Sequence, residues 1–361
     1  MNCWNNFYLW ISNYDPAVMI IEKQPFGNLP EGKEVFLYTL KNNKGMEVDV
    51  ITYGAIITAI RIPDSNHEPG DVVLGFETME EYLGDHPYFG AMVGRVCNRI
   101  GKARFELDGK VHKLTANQGE NQLHGGNRGF DKQLWTASTS KTPDQVSLLM
   151  GYESPDGSEG FPGNLMVEIE YSLNDQNELG IRCRAKTDKP THVNLTNHSY
   201  FNLNNCQGTI HDHELLIDSG LITELDQESV PTGKILDVQD TAYDFRLARS
   251  IGERIGDIDM GYDINYVLAM ASRELTRVAA VYDPSSGRTM EVLTTLPGIQ
   301  LYTSNYVDGI RGKGGLLYNK HCAVCLETQI FPDAANHPEF PSTVLRPGDV
   351  FDETTVYRFS W

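Results

Sequence analysis

Hydrophobic and polar residues alternate with a period of two along most of the chain. This alternation is typical of β-strands, in which successive side chains point to opposite faces of a sheet. It recurs in segments rich in Val, Ile, Thr and Tyr that are bounded by Gly, Asn, Asp and Pro. The pattern predicts strands at residues 34–40, 46–54, 145–152, 165–173, 179–187, 192–196, 214–219, 277–283, 289–295 and 299–305.

Helical patterns are few and short. The clearest are "ETMEEYL" (77–83) and "LARSIGERI" (247–255). Because strands follow one another without helices between them, we expect an all-β fold, a large antiparallel β-sandwich with few short helices. We expect one domain over residues 21–361, preceded by an N-terminal extension of residues 1–20.

The chain is strongly acidic, with 30 Lys+Arg against 49 Asp+Glu and a formal net charge of -19. Such a surface repels a phosphate backbone, so we expect no nucleic-acid partner. No run reaches 18 apolar residues, and the first residues lack the features of a signal peptide. We therefore expect no membrane partner and a cytoplasmic location. The six cysteines are thinly spread, which is typical of free buried thiols.

Metal-ligand patterns are incomplete. Cys322 and Cys325 have CxxC spacing, but no second pair exists, and in a strand they would point to opposite faces. His211 and His213 share one face of a strand without an evident third ligand. No P-loop and no G-x-G-x-x-G that opens a helix is present. The sequence therefore predicts neither a metal nor a cofactor.

A carboxylate occurs in an otherwise apolar strand pattern within "CLETQIFPDAANHPEFP" (325–341). Alternation places Cys325, Glu327 and Gln329 on one face of this strand. A buried unpaired charge costs several kcal/mol, so Glu327 needs a reason to be there. Two interpretations stay open: an exposed polar face, or a functional site where the strand meets the polar loop that follows.

Three other polar stretches also carry candidate chemistry. His198 lies in the strand-like run "NLTNHSYFNL" (194–203), where a hydrogen-bonded structural histidine is the alternative to a functional one. His124 precedes a flexible Gly-Gly turn in "NQLHGGNRGFDKQLW" (121–135). Arg99 lies at a turn in "GRVCNRIGKARFELDGK" (94–110), where a surface salt bridge is the alternative.

Five motifs together identify a family. "GRVCNRI", "NQLHGGNRGFDKQLW", "TNHSYFNL", "LPGIQLYTSN" and "LETQIFPDAANHP…FP…LRPG", in this order and at these separations, strongly resemble the aldose 1-epimerases, or galactose mutarotases. The resemblance extends from "EVFLYTLKN" to "YRFSW" and leaves only the first twenty or so residues outside. It implies the galactose mutarotase-like supersandwich, with the sugar in an open cleft.

The resemblance also implies residue roles. The glutamate of "LETQ", Glu327, corresponds to the family's catalytic base, and the histidine of "TNHSYFNL", His198, to its acid. Asp263 in "GYDINYVL" is the loosest match. Sugar-binding roles fall to His124, Arg99, Asn98, Asp263 and Gln300.

The activity that follows from the resemblance is interconversion of the α and β anomers of free hexoses, D-galactose and D-glucose. The ring opens by acid/base catalysis, the C1–C2 bond rotates, and the ring closes again. Alternatives are a sugar-phosphate 1-epimerase, a sugar-binding protein without catalysis, and a lyase or hydrolase of polysaccharides. A phosphate substrate would need a basic cluster, and Arg99 is the only Lys or Arg among the candidate site residues. We expect a monomer or weak dimer.

Overall fold

The computed structural model describes residues 19–269 and 274–361. Its first strands are β1 (Ile20–Asn28), β2 (Glu34–Lys41), β3 (Glu47–Ile51), β4 (Ile56–Pro63), β5 (Pro69–Asp71), β6 (Met92–Val93), β7 (Arg99–Ile100), β8 (Arg104–Leu107), β9 (Lys110–Lys113), β10 (Gln122–Leu123), β11 (Thr136–Lys141), β12 (Gln145–Ser154), β13 (Leu165–Asn174), β14 (Glu178–Thr187) and β15 (Thr191–His192). The remaining strands are β16 (Thr196–Asn197), β17 (Glu214–Ile217), β18 (Leu221–Leu225), β19 (Pro231–Asp237), β20 (Arg249–Ser250), β21 (Asp263–Val267), β22 (Thr276–Tyr282), β23 (Thr289–Thr294), β24 (Gly298–Tyr302), β25 (Ile310–Arg311), β26 (Leu317–Tyr318), β27 (Cys325–Gln329), β28 (Val344–Leu345) and β29 (Phe351–Ser360).

These residues contain one α-helix, α1 (Met79–Leu83), where the sequence predicts one. Its start is a capping box: Glu81 N–H donates to the Thr78 hydroxyl, and the Glu81 carboxylate accepts from Thr78 N–H. The remaining helical segments are 3₁₀ turns at Gly101–Ala103, Phe130–Lys132, Ser158–Gly160, Ile251–Glu253, Ile255–Asp257 and Lys313–Gly315.

The strands form one nine-stranded and two five-stranded antiparallel sheets. The nine-stranded sheet has the order β11-β12-β13-β14-β29-β23-β22-β17-β20. One five-stranded sheet runs β1-β2-β3-β4-β5, and the other runs β19-β18-β21-β24-β27. Separate two-stranded pairs are β10-β7, β16-β6, β15-β28, β25-β26 and β8-β9.

The main core lies between the nine-stranded sheet and the two five-stranded sheets. On β13, buried residues alternate with more exposed ones over the whole strand, as the sequence pattern predicts. The Tyr171 hydroxyl donates to the Ala55 carbonyl at 2.5 Å, and the Tyr357 hydroxyl donates to the Leu326 carbonyl at 3.2 Å. These bonds connect the large sheet to segments of both smaller sheets. The expected antiparallel sandwich is confirmed.

Two local predictions differ from the structure. The strand predicted at 192–196 is divided into β15 and β16. The helix predicted at 247–255 is wrong, because β20 and 3₁₀ turns occupy this segment. Arg249 pairs instead with Leu215 at the edge of the nine-stranded sheet, which satisfies its backbone groups. Gly252 also packs closely here, since a Cβ at this position would lie 2.6 Å from that of His211.

The predicted extension lies almost wholly outside the described residues, as does Cys3, although β1 already includes Ile20. The five described cysteines are free and buried, as expected. No helix in residues 19–269 or 274–361 is long and apolar enough to cross a membrane.

Candidate active site

Strand register places the candidate base. Asn265, Gln300 and Glu327 lie directly opposite one another on β21, β24 and β27, so their side chains form one row on one sheet face. The opposite face of β27 packs into the main core through Leu326. Glu327 is nevertheless only 2% exposed, because loops cover its own face as well. The interpretation as an exposed polar face is therefore wrong.

The short β7–β10 pair holds three further candidates. Arg99 lies opposite Leu123, which brings the adjacent Asn98 and His124 together. The backbone N–H of Asn98 donates to Nδ1 of His124 at 3.2 Å, and the side-chain oxygen of Asn98 accepts from Arg99 N–H at 2.8 Å. Gly125 then turns at φ +85°, where a Cβ would collide with the Gly94 carbonyl. Arg99 is buried, so the surface salt bridge is also wrong.

His198 follows β16 directly rather than lying inside a strand. Its backbone N–H donates to the Ala91 carbonyl at 2.8 Å, which fixes the main chain. Its imidazole stacks on the ring of Tyr200 with a centroid separation of 4.9 Å. The ring of Tyr88 lies 5.9 Å away, at an interplanar angle of 20°. The two tyrosines restrict rotation of the ring and hold its edge toward the cleft.

The predicted side chains converge on one open cleft. Gln300 is the exception, because its side chain is buried beside Asp263 and is not among the lining residues. Sequence reasoning missed several lining residues, since nothing in the sequence places the surrounding loops beside β27. The lining comprises Pro87, Tyr88, Asn98, Arg99, Gln118, Leu123, His124, His198, Tyr200, Asp263, Tyr302, Tyr306 and Glu327.

Glu327 and His198 form a close pair in this cleft. Glu327 Oε2 lies 3.6 Å from His198 Nε2. Burial raises the pKa of Glu327 well above its usual value, aided by the charge of Asp263 and opposed by that of Arg99. Burial lowers the pKa of His198 to about 3. Both shifts disfavour charge, so the pair retains one proton over a wide pH range.

A polar chain holds Asp263 and Arg99 beside this pair. Asp263 Oδ2 lies 3.6 Å from Nη2 of Arg99, and its Oδ1 accepts from Gln300 Nε2 at 2.6 Å. Gln329 Nε2 in turn donates to Gln300 Oε1 at 3.1 Å, which fixes the orientation of that amide. Gln300 thus contacts Asp263 directly, and its predicted contact with the sugar stays a prediction.

His124, His198 and Glu327 bring potential metal ligand atoms within 4.8 Å of one another. The hydrogen bonds of His124 oppose metal binding. Burial lowers its pKa well below the usual value, with the charges of His198 and Arg99 acting in the same direction, so the ring is neutral. Since Nδ1 accepts from Asn98 N–H, the single ring proton must be on Nε2. Neither nitrogen then has a free lone pair, and the donor set does not fit a metal ion.

The other metal-like patterns also separate in the fold. His211 Nε2 lies 2.9 Å from His321 Nδ1, whereas His213 Nε2 accepts from Leu203 N–H at 3.0 Å. The neighbouring histidines therefore have different partners and do not form a common ligand pair.

The chain that forms this cleft also matches a known family along its sequence. The family model for aldose 1-epimerase matches residues 37–358. The chain belongs to the aldose 1-epimerase family. It is 46% identical over 345 residues to a galactose mutarotase of Sus scrofa, covering 94% of this chain and 98% of that protein.

Other relatives of this aldose 1-epimerase family member agree. Identity is 44% over 343 residues to a galactose mutarotase of Homo sapiens, covering 94% of this chain and 98% of that protein. It is 37% over 338 residues to an aldose 1-epimerase of Escherichia coli, covering 91% and 96% of the two chains.

Solved structures show the same fold. A GalM/aldose epimerase homologue from C. elegans superposes with a TM-score of 0.84 at 32% identity, covering 90% of this chain and 98% of that one. A galactose 1-epimerase from Lactobacillus acidophilus gives a TM-score of 0.83 at 24% identity, covering 95% and 99%. The expected supersandwich architecture is confirmed.

Proposed function

We propose that this aldose 1-epimerase interconverts the α and β anomers of free hexoses, with D-galactose and D-glucose as substrates. The observation that carries the proposal is the 3.6 Å approach of Glu327 and His198 within the cleft. The anomeric oxygen and the ring oxygen of an aldose are bonded to the same carbon. An acid and a base that act on both oxygens must therefore lie close together, as these two groups do.

The proton transfers balance within this pair. With Glu327 ionised and His198 protonated, the carboxylate takes the proton of the anomeric hydroxyl. The imidazolium gives its proton to the ring oxygen as the bond from C1 to that oxygen breaks. The open chain then rotates about C1–C2, and the reverse transfers close the ring on the other face of the aldehyde. The pair holds one proton before and after each half-reaction, so no cofactor takes part.

Each positioned proton transfer contributes about 10²–10⁴-fold to the rate. The raised pKa of Glu327 makes its carboxylate a stronger base than an exposed one. The low pKa of His198 makes its imidazolium a stronger acid. Hydrogen bonds from the sugar to the Glu327 carboxylate favour transfer of the single proton of the pair from Glu327 to His198, which gives the reactive ionised form.

The remaining cleft residues bind the sugar in this proposal. Nε2–H of His124 donates a hydrogen bond, while Arg99, Asn98 and Asp263 contact hydroxyls. Gln300 acts through Asp263, whose Oδ1 it holds at 2.6 Å. None of these roles requires a charge on the substrate.

The charges of the cleft favour a neutral sugar over a sugar phosphate. Among the described lining residues Arg99 is the only permanent cation, and Asp263 lies 3.6 Å from it. Asp263 would repel a phosphate dianion. A sugar-binding protein without catalysis remains an alternative that activity alone distinguishes.

The test is to add pure α-D-galactose to the protein and to follow optical rotation. We expect equilibration at a rate proportional to enzyme concentration and well above the spontaneous rate. Glu327→Gln serves as the matched control. If wild type and variant both leave the spontaneous rate unchanged while galactose still binds, the protein is a sugar-binding protein instead.

We further propose that residues 21–361 form one domain, and that the protein is a cytoplasmic monomer or weak dimer without a nucleic-acid or membrane partner. The acidic net charge of -19 supports the absence of a nucleic-acid partner. Light scattering across a range of protein concentrations measures the oligomeric state, and limited proteolysis tests the domain boundary.

A further inference from the structure

Gln118 contacts the side chain of Arg99, a predicted sugar-binding residue, but the sequence motifs assign no role to Gln118 itself. It lies on the loop between β9 and β10 and lines the cleft together with Arg99 and Asp263. Its Oε1 accepts a hydrogen bond from Nε of Arg99 at 2.8 Å. Arg99 is thus held from two sides, by the amide oxygen of Gln118 and by the carboxylate of Asp263.

The other half of the Gln118 amide is free to bind a ligand. Among the described residues, no acceptor lies within hydrogen-bond distance of its Nε2, although the side chain is half-buried. Because Oε1 is fixed on Arg99, the amide cannot flip to exchange its oxygen and nitrogen without losing that bond. The amide therefore presents two N–H donors in a defined orientation at the cleft.

The loop that carries Gln118 is anchored to the site. Gln118 and Asn121 exchange backbone hydrogen bonds of 3.1 and 3.0 Å. The Asn117 side chain bonds both backbone groups of Leu123, at 2.7 and 3.0 Å. Leu123 lies directly opposite Arg99 in the β7–β10 pair. Loop and arginine therefore move as one unit, and a side chain on this loop keeps a fixed position relative to a bound sugar.

We propose that Gln118 is a further sugar-binding residue, whose Oε1 orients Arg99 and whose Nε2 donates a hydrogen bond to a hydroxyl of the bound hexose. The proposal rests on the proposed function of the cleft as a hexose site. The contact is made in the ground state and in the transition state alike, because Gln118 does not take part in proton transfer. It therefore contributes to sugar affinity, and through the hydroxyl it recognises, to the choice among hexoses.

The first test separates affinity from chemistry. Gln118→Ala removes both halves of the amide, and we expect KM for galactose to rise about tenfold with kcat within about threefold of wild type. The matched control is Gln176→Ala, which removes the same atoms from an exposed turn between β13 and β14. A KM within about twofold of wild type for Gln118→Ala would overturn the proposal, as would a fall in kcat at unchanged KM.

The second test separates a direct contact from an effect through Arg99. Gln118→Glu retains an oxygen that accepts from Arg99 Nε but has no N–H to donate. We expect it to raise KM as well, whereas wild-type affinity in this variant would show that the amide nitrogen does not bind the sugar. Monodeoxygalactoses then identify the hydroxyl. For one of these analogues, the wild type should bind more weakly than it binds galactose, whereas Gln118→Ala should bind the analogue and galactose equally well. If every analogue weakens binding by the same factor in both proteins, the contact is contradicted.

Direct binding of galactose by calorimetry, measured on the Glu327→Gln background, keeps this inference distinct from the proposed function. Weaker binding on adding Gln118→Ala supports the sugar contact even if the parent protein shows no mutarotation. Full mutarotation in wild type with unchanged binding and KM in Gln118→Ala refutes the contact alone.

Discussion

Glu327 Oε2 lies 3.6 Å from His198 Nε2, and both side chains are almost fully buried. No hydrogen-bond donor among the described residues reaches Oε2, and Nδ1 of His198 also lacks a partner. A buried carboxylate without donors is destabilising as a charge, which explains why its pKa is raised. The same isolation leaves the pair free to exchange protons with a substrate.

Glu327→Gln should abolish most of the activity. The amide retains the shape of the carboxylate but cannot accept the proton, so kcat should fall at least about 10²-fold. Because the change also removes a buried carboxylate with an unpaired oxygen, the thermal unfolding midpoint should stay the same or rise. Polarimetry and calorimetry measure the two effects. Near wild-type mutarotation would remove Glu327 from the mechanism.

Replacement of His198 and replacement of His124 should affect kcat and KM differently. His198→Asn removes the acid, so kcat should fall strongly while galactose affinity changes by no more than a few-fold. His124→Asn removes the Nε2–H donor, so KM should rise as well. The measurement is kcat and KM for both variants, with binding on the Glu327→Gln background. If His124→Asn lowers only kcat, and by as much as His198→Asn does, then His124 takes part in proton transfer.

The pH profile of kcat/KM should be a broad plateau with two limbs. The active pair holds one proton, so activity falls when a second proton binds and when the only proton leaves. The low pKa of His198 moves the acid limb below the usual histidine range, and the raised pKa of Glu327 moves the alkaline limb upward. A rate that rises steadily through high pH contradicts this one-proton pair.

Charge variants should move the alkaline limb in opposite directions. Asp263 raises the pKa of Glu327, so Asp263→Asn should shift the limb to lower pH. Arg99 lowers that pKa, so Arg99→Met should shift it to higher pH. We expect both variants to weaken sugar binding as well, so the pH at which the limb lies, and not the absolute rate, is the quantity to compare. Equal shifts in one direction would show that another group titrates.

Treatment with a chelator should leave kcat unchanged. Nδ1 of His124 accepts from Asn98 N–H, and its Nε2 carries the proton, so the cluster of His124, His198 and Glu327 has no third ligand to give a metal. The measurement is mutarotation before and after dialysis against EDTA, with metal analysis of both samples. Loss of activity that added Zn²⁺ restores would mean that the His124 tautomer is the opposite one.

Acid should destabilise the fold through buried neutral histidines. Burial lowers the pKa of His192 and of His213 to about 4. Since both values lie below the unfolded pKa of about 6.5, the unfolded chain binds more protons between these limits, and stability falls as pH drops from 6.5 toward 4. At pH 5 each group costs about 2 kcal/mol relative to pH 7.5.

Urea unfolding at pH 7.5 and pH 5 measures this loss. His192→Asn should reduce the difference in the free energy of unfolding between pH 7.5 and pH 5, because it removes the contribution of this histidine. His67→Asn, at an exposed turn with φ +66°, is the matched control and should leave the difference unchanged. A pH dependence identical in His192→Asn and wild type would show that His192 is not a source of the acid sensitivity.

Local pattern was sufficient for the fold class and for most strands. The period-two alternation of β13 survives as alternating burial, because each strand of a sandwich has one face toward the core. It failed at 247–255, where apolar spacing resembles a helix but sheet-edge pairing of Arg249 with Leu215 decides the conformation. Propensity over a few residues cannot anticipate a partner strand distant in the sequence.

For the site, the order of motifs along the chain was sufficient to name Glu327, His198, Arg99, His124, Asn98 and Asp263, and all six line one cleft. Their roles remain predictions. Alternation correctly placed Cys325, Glu327 and Gln329 on one face of β27, but it could not tell whether that face was exposed.

The sequence by itself determined which residue types lie on which face, because the pleat of a strand is a local property of the backbone. Only the tertiary structure decided that both faces of β27 are buried, that Gln300 donates to Asp263, and that Gln118 lies against Arg99. The physical reason is that burial, tautomers and pKa shifts depend on groups brought together by long-range pairing, whose positions no short segment encodes.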